Sequence, residues 1–332
     1  MKTGPPPAAR GRMSSGITDV PGVRVAHVTV GGGDVRTGVT CVLPRPDDLL
    51  ARPVTAAAHV VNGYGKPLGL AQVAELGELE TPVLLTSTLS VGAAHEGVVR
   101  HLLEQHPRLG RPGTVNPVVL ECNDGRLNDL RALAVRPGHA AEAVRLAASQ
   151  PDGHPVQEGA VGAGHGMVAF GWKGGIGTCS TAVDDGSWRA TLGCLVLTNM
   201  GRPEDLRVDG RPVSAWPPDA PPLPPALTDT VAGSVVVLLA TDAPLDARQL
   251  GRLARRAQNG LARTGVPTDH GSGEFVLAFS TVAPQPRRDD RWLRPWFAAV
   301  ADVVEEAVLR SLRAAVTTTG RDGVTAYRCP AV

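Results

Sequence analysis

The sequence predicts an α/β protein in which layers of sheet and helix are stacked on one another. Compact apolar runs at 81–88 and 116–124, bounded by proline or polar residues, are typical of buried strands. Segments 95–106 and 139–150 instead have the apolar spacing of helices. Because the strands come in clusters rather than in regular alternation with helices, stacked layers are favoured over a simple βαβ winding.

The individual elements follow from the same patterns. In the first half, extended chain is expected at 17–30, with a turn at Pro21-Gly22, and at 37–45, before the strands and helices just described. Segment 160–177 is dense in glycine. The second half is expected to contain strands at 191–201, 234–244 and 273–281, an amphipathic helix at 245–260 that ends at Gly260, and a long helix at 294–316.

Two segments are predicted to lack regular structure. The first fifteen residues have no apolar core, so they are interpreted as a disordered tail rather than a signal peptide. Residues 201–232 are mostly loop, and the proline content of 211–232 predicts a flexible or polyproline linker. A single domain over 16–332 is therefore expected.

Composition limits the class of protein and its partners. The chain has 332 residues, of which 42% are hydrophobic, and that is enough for a substantial core. A formal net charge of +1 gives no indication of a nucleic acid or anionic membrane partner. Five cysteines without a CxxC pair predict neither a zinc site nor a disulfide framework. No apolar run reaches membrane-spanning length, so a cytoplasmic protein is expected.

Common catalytic motifs are absent from the sequence. It contains no GxSxG, HExxH or P-loop pattern. The GAGHG and GGIG segments could hold a phosphate, but tight turns and close backbone packing explain those glycines better. His95 and His101 are six residues apart and do not share a helix face, so both are interpreted as surface histidines.

The junction Gly233-Ser234 is the most informative local feature. A proline-rich stretch leads through these two small residues into the apolar run VVVLLA. A small polar residue often begins a strand, so Ser234 could simply be the first residue of one. The alternative interpretation is that the chain is cut before Ser234. The new α-amine, with a pKa of roughly 7.7–8.0, would then be the general base for its own hydroxyl.

Several blocks of sequence together resemble one family. They lie in the expected order over residues 16–281 and include GITDVPGVRVAHVTV, TSTLSVGAAHEGVVR, VVLECNDGRLNDL, GAVGAGHGMVAFGWKGGIGT, LVLTNMGRPEDLRVDGRPV, GSVVVLLATDAPL and GSGEFVLAFST. On these blocks the chain resembles the DmpA family of peptidases, which comprises L-aminopeptidase/D-amidase-esterases and β-peptidyl aminopeptidases. The resemblance implies a four-layer αββα sandwich, similar to N-terminal nucleophile hydrolases in layering but different in connectivity.

The resemblance also implies how the protein matures and works. Self-cleavage between Gly233 and Ser234 would give an α chain of 1–233 and a β chain of 234–332, and such units usually assemble as tetramers. The implied activity is release of N-terminal amino acids from small peptides, amides or esters through an acyl-enzyme. It implies neither a cofactor nor a metal ion.

Site residues carry over by their position in the matching blocks. Ser234 matches the nucleophile, and Asn199 matches the asparagine that donates a hydrogen bond to the oxyanion. Ser272 and Glu274 match the pair that holds the freed α-amino group, and residues two apart on a strand do share a face. Glu121 matches the carboxylate that binds the ammonium of the substrate.

One departure from the family pattern concerns the oxyanion site. After the glutamate the family usually has Thr-Tyr-Asp-Gly, with the tyrosine as a second oxyanion donor, whereas this chain has Cys122, Asn123, Asp124 and Gly125. Either the shorter amide of Asn123 substitutes for the tyrosine, or the substrate differs, or the activity is weak. Losing one such donor typically costs about 10²–10³ in rate, so the sequence predicts that Asn123 limits turnover and that Asn123→Tyr raises it.

Two alternative functions follow from related folds. The ornithine acetyltransferases also cleave themselves, but before a threonine, so an acyltransferase of that type is the first alternative. A binding protein with weakened catalysis is the second. A processed enzyme would run as two bands on a denaturing gel, and an acyl acceptor would separate transfer from hydrolysis.

Overall fold

The fold is described here from a computed structural model that covers residues 13, 15–184, 189–213, 233–285 and 290–330. The predicted N-terminal tail therefore lies almost entirely outside the described residues. Of the predicted linker, residues 214–232 also lie outside them, and the described residues 211–213 begin with a short strand.

The strands of the described chain are β1 (Arg24–Gly32), β2 (Val35–Leu43), β3 (Val54–Gly63), β4 (Glu78–Leu79), β5 (Val83–Ser87), β6 (Val118–Cys122), β7 (Val168–Ala169), β8 (Trp172–Lys173), β9 (Gly175–Asp184), β10 (Arg189–Asn199), β11 (Arg207–Val208), β12 (Arg211–Pro212), β13 (Ser234–Thr241), β14 (Gly273–Ser280), β15 (Thr318–Thr319) and β16 (Thr325–Ala326). The α-helices are α1 (Leu70–Leu76), α2 (Val91–Gln105), α3 (Pro137–Ser149), α4 (Ala247–Ala254), α5 (Ala257–Arg263) and α6 (Arg294–Ala314).

Two sheets form the centre of the molecule. One has four strands in the order β1-β2-β5-β6, and the other has six in the order β4-β3-β14-β13-β10-β9. Within the larger sheet, β13 runs parallel to β14 and antiparallel to β10. The strand that begins at Ser234 is thus central, and neighbouring strands pair with it on both sides.

Helices cover the outer faces of both sheets. Helices α2 and α3 pack on the four-stranded sheet, whereas α4 and α6 pack on the six-stranded sheet and α5 packs against α6. Along β13, Val236 and Leu238 belong to the core between the sheets, and Val235 and Val237 belong to the core beneath α4–α6. The layers are therefore helix, sheet, sheet and helix, which confirms the predicted αββα sandwich.

Sequence patterns found most of these elements but missed two long strands. Strand β3 was not predicted, and β9 falls in the region that was described only as glycine-rich. Gly177 explains the second omission, because a Cβ at this position would lie 2.0 Å from the carbonyl oxygen of Ala307 in α6. Glycine usually weakens a strand, but here it lets β9 lie directly against a helix.

The predicted helix at 245–260 is wrong in its extent. It consists of two short helices, and α5 continues past Gly260 to Arg263. A Cβ at Gly260 would lie 2.6 Å from Cβ of Val304, so this glycine permits close contact with α6 and does not end the helix. The start was easier to predict, because Asp246 and Gln249 form a reciprocal capping box.

The interpretation of His101 as a surface residue is also wrong. His101 is buried and His95 is half-buried in α2. Ala94, Val98 and His101 follow one another at helical spacing on the buried stripe of this helix, so position within the stripe outweighs residue type. Burial lowers the pKa of His101. In the described residues, no helix is both long and apolar enough to cross a lipid bilayer.

Candidate active site

Ser234 lies at the start of β13, where the chain enters the interior of the sheet. Its side chain is buried, and its register partners are Asn199, the last residue of β10, and Gly273, the first residue of β14. Ser272 and Glu274 flank the second partner. Pairing of three strands therefore brings four residues predicted from sequence, including Ser234 itself, to one end of the larger sheet.

Two N–H groups donate hydrogen bonds to the hydroxyl of Ser234. One comes from Nδ2 of Asn199 at 3.2 Å, and the other from the backbone nitrogen of Asn123 at 3.2 Å. Asn123 directly follows β6 of the four-stranded sheet, so the site lies between the two sheets. Both donors therefore lie beside the serine oxygen, where they could also reach a carbonyl oxygen that becomes negatively charged when the serine attacks its carbon.

The amide of Asn199 is held in one orientation. Its Oδ1 accepts a hydrogen bond from the backbone nitrogen of Val168 at 3.1 Å, and its Nδ2 also donates to the carbonyl oxygen of Asn123 at 2.9 Å. If the amide were reversed, Nδ2 would face the N–H of Val168, and Oδ1 would face the carbonyl oxygen of Asn123. The nitrogen therefore faces Ser234, as the predicted role of Asn199 requires.

Asn123 meets Ser234 through its backbone rather than its side chain. Its Oδ1 accepts from the backbone nitrogen of Gly125 at 3.0 Å, and residues 124–128 form one helical turn closed by hydrogen bonds from Leu127 and Asn128 to the carbonyl of Asp124. The side chain of Asn123 thus caps this single turn in the way that an N-cap residue caps a helix. A backbone donor has no signature in the sequence, because nearly every residue type carries the same N–H group.

This geometry gives a different expectation for Asn123 from the sequence alone. Asn123→Ala keeps the backbone donor and loses the cap, so we expect a loss of about 0.5–2 kcal/mol in stability and less than tenfold in turnover. We expect Asn123→Tyr to be no faster than the parent. Turnover on an aminoacyl amide and chemical unfolding should be measured on both variants. A loss of about 10²–10³ in Asn123→Ala would instead assign the oxyanion donor to the side chain.

Ser272 and Glu274 are brought together as the sequence predicted. The hydroxyl of Ser272 donates to Oε1 of Glu274 at 3.0 Å, and the hydroxyl of Thr268 donates to Oε2 at 2.9 Å. Burial raises the pKa of Glu274, although both hydroxyls oppose this. Thr268 was missed by sequence reasoning. Its φ of 60° is rare for a β-branched residue, and such strain is often found at functional sites.

The side chains of Glu274 and Ser234 lie on opposite faces of the larger sheet. Glu274 pairs with Val235, whose side chain lies in the core beneath the helices, whereas Ser234 has the parity of Val236, which lies between the sheets. The backbone nitrogen of Ser234 lies in the plane between these faces. The arrangement suits separate partners for the hydroxyl and the nitrogen of one residue.

Glu121 lies in β6, two residues before Asn123, and its side chain is buried. Oε1 accepts from the backbone nitrogen of Lys66 at 3.0 Å, and the Lys66 ammonium lies 4.0 Å from the same oxygen. That ammonium donates to Thr88, and the Lys66 side chain is 59% exposed. Sequence reasoning missed Lys66. Because it is solvent-exposed and only loosely paired, a substrate ammonium can compete for the carboxylate.

The glycine-rich segments bind a cation rather than a phosphate. Lys173 is fully buried, and its ammonium donates to the carbonyls of Gly164, Met167 and Gly174 at 2.8, 2.9 and 2.7 Å. Burial lowers the pKa of Lys173 to about 7, and the nearby Asp124 carboxylate opposes this shift. Carbonyl oxygens point inward, which is the opposite of a phosphate cradle, so the packing interpretation of these glycines is confirmed.

Lys173 is connected to the site through the segment that it holds. Met167, whose carbonyl accepts from Lys173, directly precedes Val168, whose nitrogen orients the Asn199 amide. Asn199 in turn donates to Ser234. A single lysine thus supports the loop that positions the predicted oxyanion donor, and nothing in the sequence pattern pointed to this role.

Comparison with known families places this geometry in context. The model of peptidase family S58 matches residues 15–326. The chain is 38% identical to the β-peptidyl aminopeptidase BapA of Sphingosinicella microcystinivorans, and the match covers 98% of this chain and 88% of that protein. It is 37% identical to BapA of Sphingosinicella xenopeptidilytica over 95% and 84% of the two chains.

Solved structures give the same picture. The β-aminopeptidase of a Burkholderia species superposes with a TM-score of 0.84 at 39% identity, covering 97% of this chain and 92% of that one. The L-aminopeptidase D-Ala-esterase/amidase of Ochrobactrum anthropi, a prototype for the serine aminopeptidases with a variant of the Ntn hydrolase fold, superposes with a TM-score of 0.85 at 32% identity. That match covers 95% of this chain and 91% of that one.

Proposed function

Because this chain belongs to peptidase family S58 and is a serine-type aminopeptidase or amidase, we propose that Ser234 is its nucleophile. The observation that supports this assignment is the pair of N–H donors from Asn199 and Asn123 at the Ser234 hydroxyl. Asn199 ends a strand of the six-stranded sheet and Asn123 follows a strand of the four-stranded sheet, so each sheet contributes one donor to the Ser234 hydroxyl.

We further propose that the enzyme matures by cutting the bond between Gly233 and Ser234. The Ser234 hydroxyl attacks the carbonyl carbon of Gly233, the C–N bond breaks, and the nitrogen takes up the proton to become an amine. Water then hydrolyses the resulting ester, which leaves a carboxylate on Gly233. A Cβ at Gly233 would lie 2.7 Å from Cα of Met200, so glycine allows the close approach that this step needs.

The mature site hydrolyses substrate by the same chemistry. The α-amine of Ser234 accepts the hydroxyl proton as oxygen attacks the substrate carbonyl, and the oxyanion accepts from Asn199 Nδ2 and the Asn123 N–H. The leaving group of the substrate, an amine, takes this proton from the α-amine of Ser234 and departs. Water then hydrolyses the acyl-enzyme and releases the acyl group. Ser272 and Glu274 lie next to the register partner of Ser234, where they can hold the α-amine in place.

We assign Glu121 to the free amino group of the substrate. Glu121 lies at the end of β6 that leads into Asn123, and its carboxylate is buried. The cation beside it, Lys66, is solvent-exposed. Substrates are then small peptides, amides or esters with an unblocked N-terminus. The acyltransferase and binding-protein alternatives are not favoured, because the relatives with assigned activities are aminopeptidases.

The experiment that tests this function is intact mass measurement of the purified protein together with an aminoacyl amide assay. We expect two chains, with the smaller beginning Ser-Val-Val-Val, and release of the free amino acid. A folded protein that stays full length after long incubation and releases no amino acid would contradict the proposal.

Glu121→Gln is expected to separate substrate binding from maturation. Loss of a charged hydrogen bond to the substrate ammonium should lower kcat/KM roughly ten- to a hundredfold, whereas self-cleavage, which involves no substrate ammonium, should proceed. N-acetylated versions of the same amides should be poor substrates for the parent. Equal rates on free and blocked substrates would remove Glu121 from this role.

Assembly and location remain predictions of the resemblance and the sequence. We expect a tetramer of αβ units, and light scattering on the purified enzyme measures this directly. A cytoplasmic location is expected from the sequence, and fractionation of the source cells measures it.

A further inference from the structure

Lys66 and Glu121 form an incomplete ion pair. The Lys66 ammonium lies 4.0 Å from Oε1 of Glu121, which is too far for a hydrogen bond. Among the residues that the structure describes, this ammonium donates only to Oγ1 of Thr88, at 3.0 Å. An ammonium carries three donors. Lys66 therefore has donors free for a ligand, and most of its side chain is exposed to solvent.

Glu121 also keeps an unused oxygen. Oε1 accepts from the backbone nitrogen of Lys66 at 3.0 Å, whereas Oε2 accepts no hydrogen bond from the described part of the chain. The residue is buried, but Oε2 is not among the fully enclosed atoms that lack a partner, so solvent reaches it. A buried carboxylate is stable only when hydrogen bonds or a cation complete it. The pair thus offers an acceptor and a donor side by side, to a ligand that carries both charges.

Strand pairing places the Lys66 ammonium at the end of the smaller sheet where Asn123 lies. Thr88, which accepts from this ammonium, directly follows the last residue of β5, and Asn123 directly follows the last residue of β6. These two last residues are register partners in neighbouring parallel strands. The backbone nitrogen of Asn123 donates to Ser234. The ammonium therefore lies beside the strand ends that meet the proposed nucleophile.

A second set of contacts relates Glu121 to Ser234. A Cβ at Gly65 would lie 3.0 Å from Oε1 of Glu121 and 2.6 Å from Cε2 of Phe275. A Cβ at Gly273 would lie 3.1 Å from the same Phe275 atom, and Gly273 is the register partner of Ser234. The edge of one aromatic ring thus separates the carboxylate from the residue that pairs with the nucleophile.

The charge of Lys66 bears on which substrates suit this site. A substrate ammonium bound to Glu121 would come close to the Lys66 ammonium, and the two like charges would repel each other. A carboxylate on the same carbon as the substrate ammonium removes this conflict, because standard bond lengths put its oxygens roughly 3 Å from the nitrogen. The ammonium then meets Glu121 while the carboxylate meets Lys66, so opposite charges alternate.

We propose that Lys66 binds a carboxylate next to the ammonium of the substrate, so that the enzyme favours β-aspartyl substrates. In an amino acid whose amine-bearing carbon keeps its carboxylate free, the scissile carbonyl must belong to the side chain. The β-aspartyl residue is the shortest of this kind, with the carbonyl one methylene away. This inference rests on the proposed function, in which Glu121 holds the amino group and Ser234 attacks the carbonyl carbon.

Two substrates with the same scissile bond test the proposal. One is aspartic acid with a p-nitroanilide on its β-carboxyl group and a free α-carboxylate, and in the other that carboxylate is a primary amide. They are compared at about pH 6.5, where both carry an ammonium. In the processed parent, kcat/KM should be roughly three- to thirtyfold higher for the free acid, because a charged hydrogen bond is weakened by the exposure of the lysine.

Variants of Lys66 should change the two rates in different directions. In Lys66→Met the free acid should lose its advantage, whereas the amidated substrate should react as fast or faster, because no cation competes for Glu121. A purely structural effect would lower both rates together. Lys66→Arg should keep part of the preference. Arg52→Met, which removes an exposed charge at the opposite end of the larger sheet, should keep all of it.

Failure of this inference is distinguishable from failure of the proposed function. If a processed parent cleaves the amidated substrate but does not prefer the free acid, the inference is wrong and the function stands. A preference that survives in Lys66→Met, including an equal loss on both substrates, also overturns the inference. A parent that stays full length and cleaves neither substrate overturns both.

Discussion

Ser234→Ala is expected to give a full-length protein that hydrolyses no aminoacyl amide. The substitution removes the oxygen that attacks both the Gly233 carbonyl and the substrate, and no other group in the proposed mechanism can replace it. Because cleavage and hydrolysis depend on one atom, both should be lost together, whereas the buried strand should tolerate a smaller side chain. Intact mass and an amide assay on the same preparation measure the two effects.

A conservative control separates chemistry from folding. Ser234→Cys keeps a nucleophile of similar size, so it should retain partial self-cleavage even where hydrolysis is slow. Circular dichroism should show the parent fold for both variants. If Ser234→Ala still appears as two chains that begin at the same residue, the hydroxyl of Ser234 does not cut the precursor.

Lys173→Met is expected to have the largest effect on stability. The thioether fills similar space but cannot donate, so the carbonyls of Gly164, Met167 and Gly174 would lose their buried partner. A buried acceptor left without its donor typically costs about 1–3 kcal/mol, and three carbonyls lose their donor here. Denaturant unfolding of parent and variant measures this loss.

The same variant should also affect turnover in the protein that remains folded. Without Lys173 the segment at Met167 is less constrained, and Val168 holds the Asn199 amide less firmly. We therefore expect kcat to fall more than KM changes. Met167→Leu, a volume-conserving change in the same segment, should cost less than about 1.5 kcal/mol and keep kcat. Equal unfolding free energies for Lys173→Met and the parent would contradict the assigned role.

Local patterns in the sequence were sufficient for the class of fold and for most elements. Apolar runs identified β5, β6, β13 and β14, and helical spacing identified α2, α3 and α6, because each pattern reports the faces that an element buries. The same patterns missed β9, where glycines permit contact with α6, and misjudged Gly260 for the same reason. A glycine that marks a close approach cannot be distinguished from one that marks a turn until the neighbouring element is known.

The residues proposed for the site follow a similar division. Ser234, Asn199, Ser272, Glu274 and Glu121 were selected from sequence blocks, and strand pairing brings the first four to one end of a single sheet. The backbone donor of Asn123 and the network of Lys173 came only from the tertiary structure.

The physical reason for this division is that side-chain chemistry belongs to a single residue, whereas a contact depends on how the chain folds. A hydroxyl, amide or carboxylate side chain is a property of its residue, so the sequence alone determined which groups were available for acyl transfer. The contact of the Asn123 backbone N–H with Ser234 joins segments 111 residues apart in the chain. The three carbonyls around Lys173 depend on how one loop folds back over this side chain. Only packing of the two sheets and the loops between them decided these contacts.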